Sequence, residues 1–221
     1  DLLLQRLPVT LQLTVMSMAV AIAIAVPAGI VSAVKQDELS DHVARVIALT
    51  GISIPDFYLG ILLIVLFAVY FTFPWATGGY TPPGEDLTDN LLRMSLPAIT
   101  LGTAYSAIVM RMMRSSMLDV LNKEYIQVAR AMGVGDLRVV LVDATKNALI
   151  PVVTVIGLAL GRLLNGAVLT ETVFRMPGVG RLVITSVFRR DYPVIQGVVL
   201  FIAVIYVFAN LAVDLTYAYL N

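Results

Sequence analysis

The sequence predicts an all-α membrane protein, a polytopic helical bundle with about five transmembrane helices in a single domain over residues 1–221. Three observations carry that expectation. Hydrophobic residues make up 59% of the chain and charged residues 14%, with a mean hydropathy of +0.89; soluble domains run at about 45–50% apolar and about 25% charged. The apolar residues are gathered into runs that reach the ~20 residues a spanning helix needs. Those runs are also too long and too evenly apolar for the ~10-residue alternating strands of a membrane barrel.

The first run extends from about Pro8 to Val34, with no charge after Arg6 until Lys35. The second extends from about Val43 to Phe73 and is interrupted at Pro55-Asp56. As one helix it would be ~45 Å long at 1.5 Å per residue, more than the bilayer core, so a kink is expected near Pro55. The third runs from about Met94 to Met110 and shades into a basic end at Arg111 and Arg114. The fourth, about Ala148 to Thr170, holds the single charge Arg162. The fifth, about Tyr192 to Val213, is uncharged until Asp214. Pro27, Pro97 and Pro151 lie within or at the mouths of these runs; packed membrane bundles tolerate such kinks.

Loop charge sets the orientation. Lys35, Arg45, Arg111, Arg114, Lys123, Arg130, Arg138 and Lys146 fall on one side, eight in all. Arg93, Arg175, Arg181, Arg189 and Arg190, five in all, fall on the other. The first side is therefore expected to be cytoplasmic. Trp75 and Tyr80 fit an interfacial aromatic belt.

Composition also excludes chemistry. The net charge is zero, where a nucleic-acid partner would call for a basic excess. No cysteine is present, which rules out disulfides, thiolate nucleophiles and Cys-based metal sites. His42 stands alone and makes no metal site. The chain has no G-x-x-x-x-G-K-[ST] loop to cradle nucleotide phosphates. The expectation is a non-enzyme with no catalytic residues and no metal or cofactor of its own.

The most unusual stretch is the polar loop over about 115–147. Leu118, Leu121, Tyr125, Val128 and Met132 recur at helical spacing, and Gly133 and Gly135 read as a helix stop. A second helical pattern follows from Asp136 to Asn147, so two short helices with a tight turn are expected. Ala129, Ala131 and Gly133 would let another surface approach the backbone closely. The pattern alone leaves open an amphipathic helix lying on the headgroups.

Tyr125-Ile-Gln-Val-Ala-Arg-Ala-Met-Gly133, followed by Asn147-Ala-Leu-Ile-Pro-Val-Val153, resembles the cytoplasmic signature loop of ABC importer permeases. Within them it is most similar to the B-type inner-membrane subunit of the dipeptide/oligopeptide/nickel family. Thr170-Glu-Thr-Val-Phe174 with Pro177-Gly-Val-Gly-Arg181, Arg190-Asp-Tyr-Pro-Val-Ile-Gln196 and Asn210-Leu-Ala-Val-Asp-Leu-Thr-Tyr217 resemble the family's outer loop and last helix, in the family's order. Two positions depart from the broad pattern. Lys146 stands where a proline is usual, with proline following at Pro151, and the E-A-A opening reads Gln127-Val128-Ala129.

The resemblance implies a type I importer permease with six spans, so a first transmembrane helix and an external segment would precede Asp1. It implies a multi-pass protein of a bacterial or archaeal cytoplasmic membrane. Its partners would be a second homologous permease, two P-loop ATPases carrying ATP and Mg, and an extracytoplasmic substrate-binding protein. The cargo would be di- or oligopeptides; nickel or a glutathione-like solute is the alternative within the class. A secondary transporter driven by an ion gradient is the alternative outside it. The ATPase-coupling loop would use Glu124, Tyr125, Ala129, Arg130, Ala131 and Gly133. Arg162 and Asp56 are candidates for the translocation pathway; helix capping is the competing role for Asp56. Glu171, Arg175, Arg181, Arg189 and Arg190 are candidates for an outer contact with the binding protein, or for a loop that plugs the outer mouth. Asp214 is expected to be structural, with Arg111 or Arg114 as partner; those two arginines otherwise anchor a span at the headgroups.

Overall fold

The computed structural model describes residues 2–220; the side chains of 162, 164–166, 209, 210 and 212–220 lie outside that description. Among the described residues the regular structure is entirely helical.

Helix α1 (Leu2–Val34) is the uninterrupted first run, with Pro8 and Pro27 inside it. Its main neighbour is α4 (Leu87–Leu121). The two backbones cross so closely that a Cβ on Gly29 would overlap Met113, and one on Gly102 would overlap Val20 and the Ser17 carbonyl. Small residues at a crossing allow this dispersion-driven contact in lipid, where no hydrophobic force acts between helices.

The second run breaks as its proline requires. α2 (Leu39–Ser53) ends at Ile54, held extended because the residue before a proline is disfavoured in helical conformation. α3 (Asp56–Val65) then departs at 98° and continues through a π-helical turn, Leu66–Tyr70. α2 runs beside α4 from Arg114, near its start, to Thr103, near its end. It is thus a half-span entering from the inner side, with α3 turning across the bundle at Gly60, against Phe174 and Thr100.

Beyond α3 an aromatic cluster closes the outer end: Phe67, Phe71, Phe73 and Trp75, with Trp75 stacked on Phe73 at 5.3 Å. Tyr80 packs against the outer core, its hydroxyl 3.4 Å from Gln12 Oε1.

α4 is capped by Asp86, whose carboxylate accepts from Thr88 N and Asp89 N. Its 35 residues make about 50 Å of helix, well over the ~30 Å bilayer core. The expected loop from residue 115 is therefore corrected: the helix continues through Leu121 before the chain turns. α5 (Glu124–Ala131) follows after two residues. The second short helix expected over 136–147 is likewise not separate. α6 (Asp136–Arg138) runs through a π-helical stretch, Val139–Ala144, into α7 (Thr145–Val173). α8 (Val179–Arg189) and α9 (Tyr192–Leu220) complete the chain.

α1, α4 and the helix beginning at Asp136 are each long and apolar enough to cross a membrane, the bent pair α2–α3 makes a fourth candidate, and Tyr192–Phe208 of α9 is apolar over its described part. Two cores stack along the bundle. Leu13, Met94, Leu101, Phe174 and Met176 fill the outer half; Val109, Met113, Met117, Ile126 and Val139 fill the inner half.

Candidate coupling site

The inner core ends on α5. Ile126 is its one fully buried side chain and inserts beside Met113, Met117 and Val139. The expected apolar stripe is thus out of phase with the observed one. Tyr125, Val128 and Met132 are 47%, 54% and 73% exposed. The break at Asn122-Lys123 separates Leu118 and Leu121, on α4, from the rest, so the periodicity does not carry across. Lys123 takes the N-cap position with extended backbone and no side-chain cap, so no capping residue announces the break in the sequence.

α5 stops in a Schellman arrangement. Gly133 N donates to Arg130 O at 3.0 Å and Val134 N to Ala129 O at 3.1 Å, with Gly133 at φ +82. That positive φ is the reason for a glycine there; a Cβ would meet nothing within 4 Å. Asn147 Nδ2 donates to Tyr125 Oη at 3.0 Å, tying α5 to α7, and Arg130 Nε lies 3.2 Å from Asp136 Oδ1. Glu124, Tyr125, Arg130, Ala131 and Gly133 are all exposed, while Ala129 is partly buried against the inner core. The structure therefore brings the six expected residues onto one short helix and its stop. α5 thus presents a small outward face, is anchored by one isoleucine, and is joined by short links to two long helices, to α4 through residues 122–123 and to α7 through α6.

Just behind it lies a buried ion pair that sequence reasoning missed. Arg114 is not a headgroup anchor. It donates to Asp41, which is fully buried, and Ser32 Oγ donates to Asp41 Oδ1 at 2.5 Å. The partner considered for it, Asp214, lies outside the described residues.

At the outer end the expected contact residues divide. Glu171 does not face outward. It is fully buried, accepts from Thr10 Oγ1 at 2.6 Å and from Arg181 N at 3.0 Å, and Thr10 Oγ1 in turn accepts from Val179 N at 2.9 Å. Its carboxylate fills the space above Gly178, where any Cβ would overlap it. Glu171 thus staples the 174–181 turn to α1. Arg181 is half-buried, with Nη1 donating to Arg175 O at 2.6 Å. Arg175, Arg189 and Arg190 are exposed. Asp56 sits in the first turn of α3 and accepts from Phe57 N at 2.8 Å, a place where a carboxylate also meets the positive end of the helix. Arg162 lies outside the described residues.

The bundle carries one short, mostly exposed amphipathic helix at its inner end. Comparison with known proteins identifies its class. Residues 25–221 match the family described as "Binding-protein-dependent transport system inner membrane component". The chain is 44% identical to the dipeptide transport system permease protein DppB of Escherichia coli K12, over 98% of the chain and 70% of that protein. It is 40% identical to the di/tripeptide transport system permease protein DppB of Pseudomonas aeruginosa UCBPP-PA14, over 97% and 69%. An inward-facing structure of the MetNI methionine ABC transporter superposes with a TM-score of 0.79 at 19% identity, over 100% of this chain and 96% of that one, and so shares its fold. The chain belongs to the family of binding-protein-dependent transport system inner membrane components.

Proposed function

We propose that this chain is the permease subunit of an ATP-driven importer of di- and oligopeptides, forming half of a translocation pathway with a second permease. The relatives' names support the peptide class. The observation that carries the mechanism is α5, an exposed short helix joined to α4 and α7 by short links and hydrogen bonds. It docks on a separate P-loop ATPase, which binds ATP and Mg; this chain holds neither. Closure of the paired ATPases moves α5, and the attached helices rotate as rigid bodies, so that access alternates between the two faces.

Glu124, Tyr125, Arg130 and Ala131 make the contact, Ala129 seats the helix, and Gly133 ends it. Asp56 and Arg162 remain candidates for the pathway. Arg175, Arg189 and Arg190 are the outer residues that face a substrate-binding protein, while Glu171 and Arg181 shape the turn that presents them. The ion-gradient alternative wants a free intramembrane acid, and among the described residues the two fully buried carboxylates, Asp41 and Glu171, are both committed to partners.

The test uses the full-length protein reconstituted in liposomes with its second permease, ATPases and binding protein. Ala131→Trp places bulk on the exposed face without touching the core. It is expected to abolish ATP-dependent dipeptide uptake and to release the ATPase on purification, while the permease keeps its melting temperature. Wild-type uptake in that variant would remove α5 as the coupling element; normal assembly with no dipeptide uptake even in the wild type would remove the peptide.

A further inference from the structure

A second site lies at the inner end of the cleft between α2 and α4. A cavity of about 260 Å³ is lined by Arg45, Arg111 and Arg114 over a floor of Ala48, Leu49 and Met110. Three guanidinium groups gather beside Asp41, whose carboxylate is already taken; Asp37 is near enough to act on Arg114 through space but bonds to none of the three. Asp41 gives both oxygens to Arg114, at 2.7 and 2.9 Å. Arg45 comes no nearer than 3.4 Å to it, and Arg45 Nε is buried with no hydrogen-bond partner. Arg45 Nη2 reaches only His42 Nδ1, at 2.8 Å. Arg111 is exposed and forms no ion pair among the described residues. Arg45 and Arg111 therefore lack a hydrogen-bonded counter-ion, and a desolvated donor without an acceptor is unfavourable.

The surroundings choose the counter-ion. The arginines sit where α2 begins and where α4 leaves its apolar stretch, on the side richer in Lys and Arg. The outer flank of α2 is apolar and bare: Val46, Leu49 and Ile52 are 62%, 56% and 43% exposed. A phosphate in the cavity would have its acyl chains against that flank. Basic pockets between spanning helices on the cytoplasmic side are suited to anionic headgroups.

We propose that the Arg45–Arg111–Arg114 cavity binds the phosphate diester of an anionic phospholipid of the cytoplasmic leaflet. The phosphate bridges Arg111 and the guanidinium of Arg45, and so fastens the half-span α2 to α4. This rests on the chain's place in the membrane and not on the identity of the cargo, so it stands or falls separately from peptide import.

Native mass spectrometry of the full-length protein with its partner subunits, released from nanodiscs containing phosphatidylglycerol and phosphatidylcholine, tests it. The wild type is expected to retain phosphatidylglycerol selectively. Arg111→Gln, which breaks no internal contact, should weaken retention about fivefold, and Arg45→Gln with Arg111→Gln about 25-fold, since each surface-level arginine contributes about 1 kcal/mol toward an anionic lipid. Arg138→Gln, on the same side but off the cavity, should change nothing. Equal retention in wild type and double variant overturns the proposal. So does displacement of the lipid by millimolar inorganic phosphate, which marks a free-anion site, or a cross-link showing a partner subunit's carboxylate in the cavity.

Discussion

Arg114 holds Asp41 in a two-pronged grip, Nη2 to Oδ2 at 2.7 Å and Nε to Oδ1 at 2.9 Å, and so joins the start of α2 to the inner end of α4. Ser32 at the end of α1 donates to the same carboxylate, so three helices meet on one charge. Removing one partner of a buried pair leaves the other uncompensated, typically at 3–5 kcal/mol. Arg114 keeps 19% of its side chain exposed, which moderates the cost. Arg114→Ala is expected to lower stability by about 2–3 kcal/mol, read as a drop in melting temperature in detergent. The double variant Asp41→Leu, Arg114→Met should recover most of that loss, because the desolvated charges then disappear together.

Thr10 works in both directions at the opposite end of the bundle, donating to Glu171 and accepting from Val179 N. Thr10→Val keeps the shape but strands a buried carboxylate oxygen and a backbone N–H. The expected cost is about 2–6 kcal/mol, at about 1–3 kcal/mol for each unsatisfied group. Gly178→Ala should be comparably harmful, since the new methyl would fall on the Glu171 carboxylate. Both effects are read by thermal unfolding, and hydrogen exchange should show the 174–181 turn opening first.

Much of this architecture is legible in the residues. The long apolar runs mark the spanning helices, and Pro55 marks the 98° break because a proline restricts the residue before it. The end of α5 is legible too, because Gly133 takes up a left-handed conformation that other residues avoid. What is not legible depends on long-range partners. Glu171 looks like an outer-surface acid until Thr10, 161 residues away, is placed beside it. Asp41 and Arg114 are 73 positions apart, and Arg114 reads as a headgroup anchor until Asp41 is placed beside it. The extension of α4 past Ser115 is hidden for another reason. Once that helix leaves the bilayer its residues turn polar, and hydropathy no longer reports it.

Gly133 separates the geometry of the α5 stop from its chemistry. An alanine there has room, with nothing within 4 Å, but must hold φ near +82. That conformation costs a non-glycine residue about 1–2 kcal/mol. Gly133→Ala should fray the last turn of α5, seen as faster amide exchange at Val134, and should reduce uptake per ATP hydrolysed. Gly133→Asn should be milder, because asparagine tolerates the left-handed region.

Ile126 is the sharper test of how α5 transmits force. It is the only fully buried side chain on that helix, and it touches the inner core rather than any partner. Ile126→Ala removes buried volume worth about 2–5 kcal/mol in a well-packed site. Here the loss falls on the seating of one short helix, since α1, α4 and α7 hold each other without it. Global melting should therefore change little. The exposed face of Glu124, Tyr125 and Ala131 is unaltered, so an ATPase should still bind. If α5 passes motion to α4 and α7 through its packing, dipeptide uptake in reconstituted liposomes should fall at least tenfold while ATP hydrolysis continues. If uptake and hydrolysis fall together, Ile126 serves assembly instead, and the force path runs through the backbone links at 122–123 and 134–135.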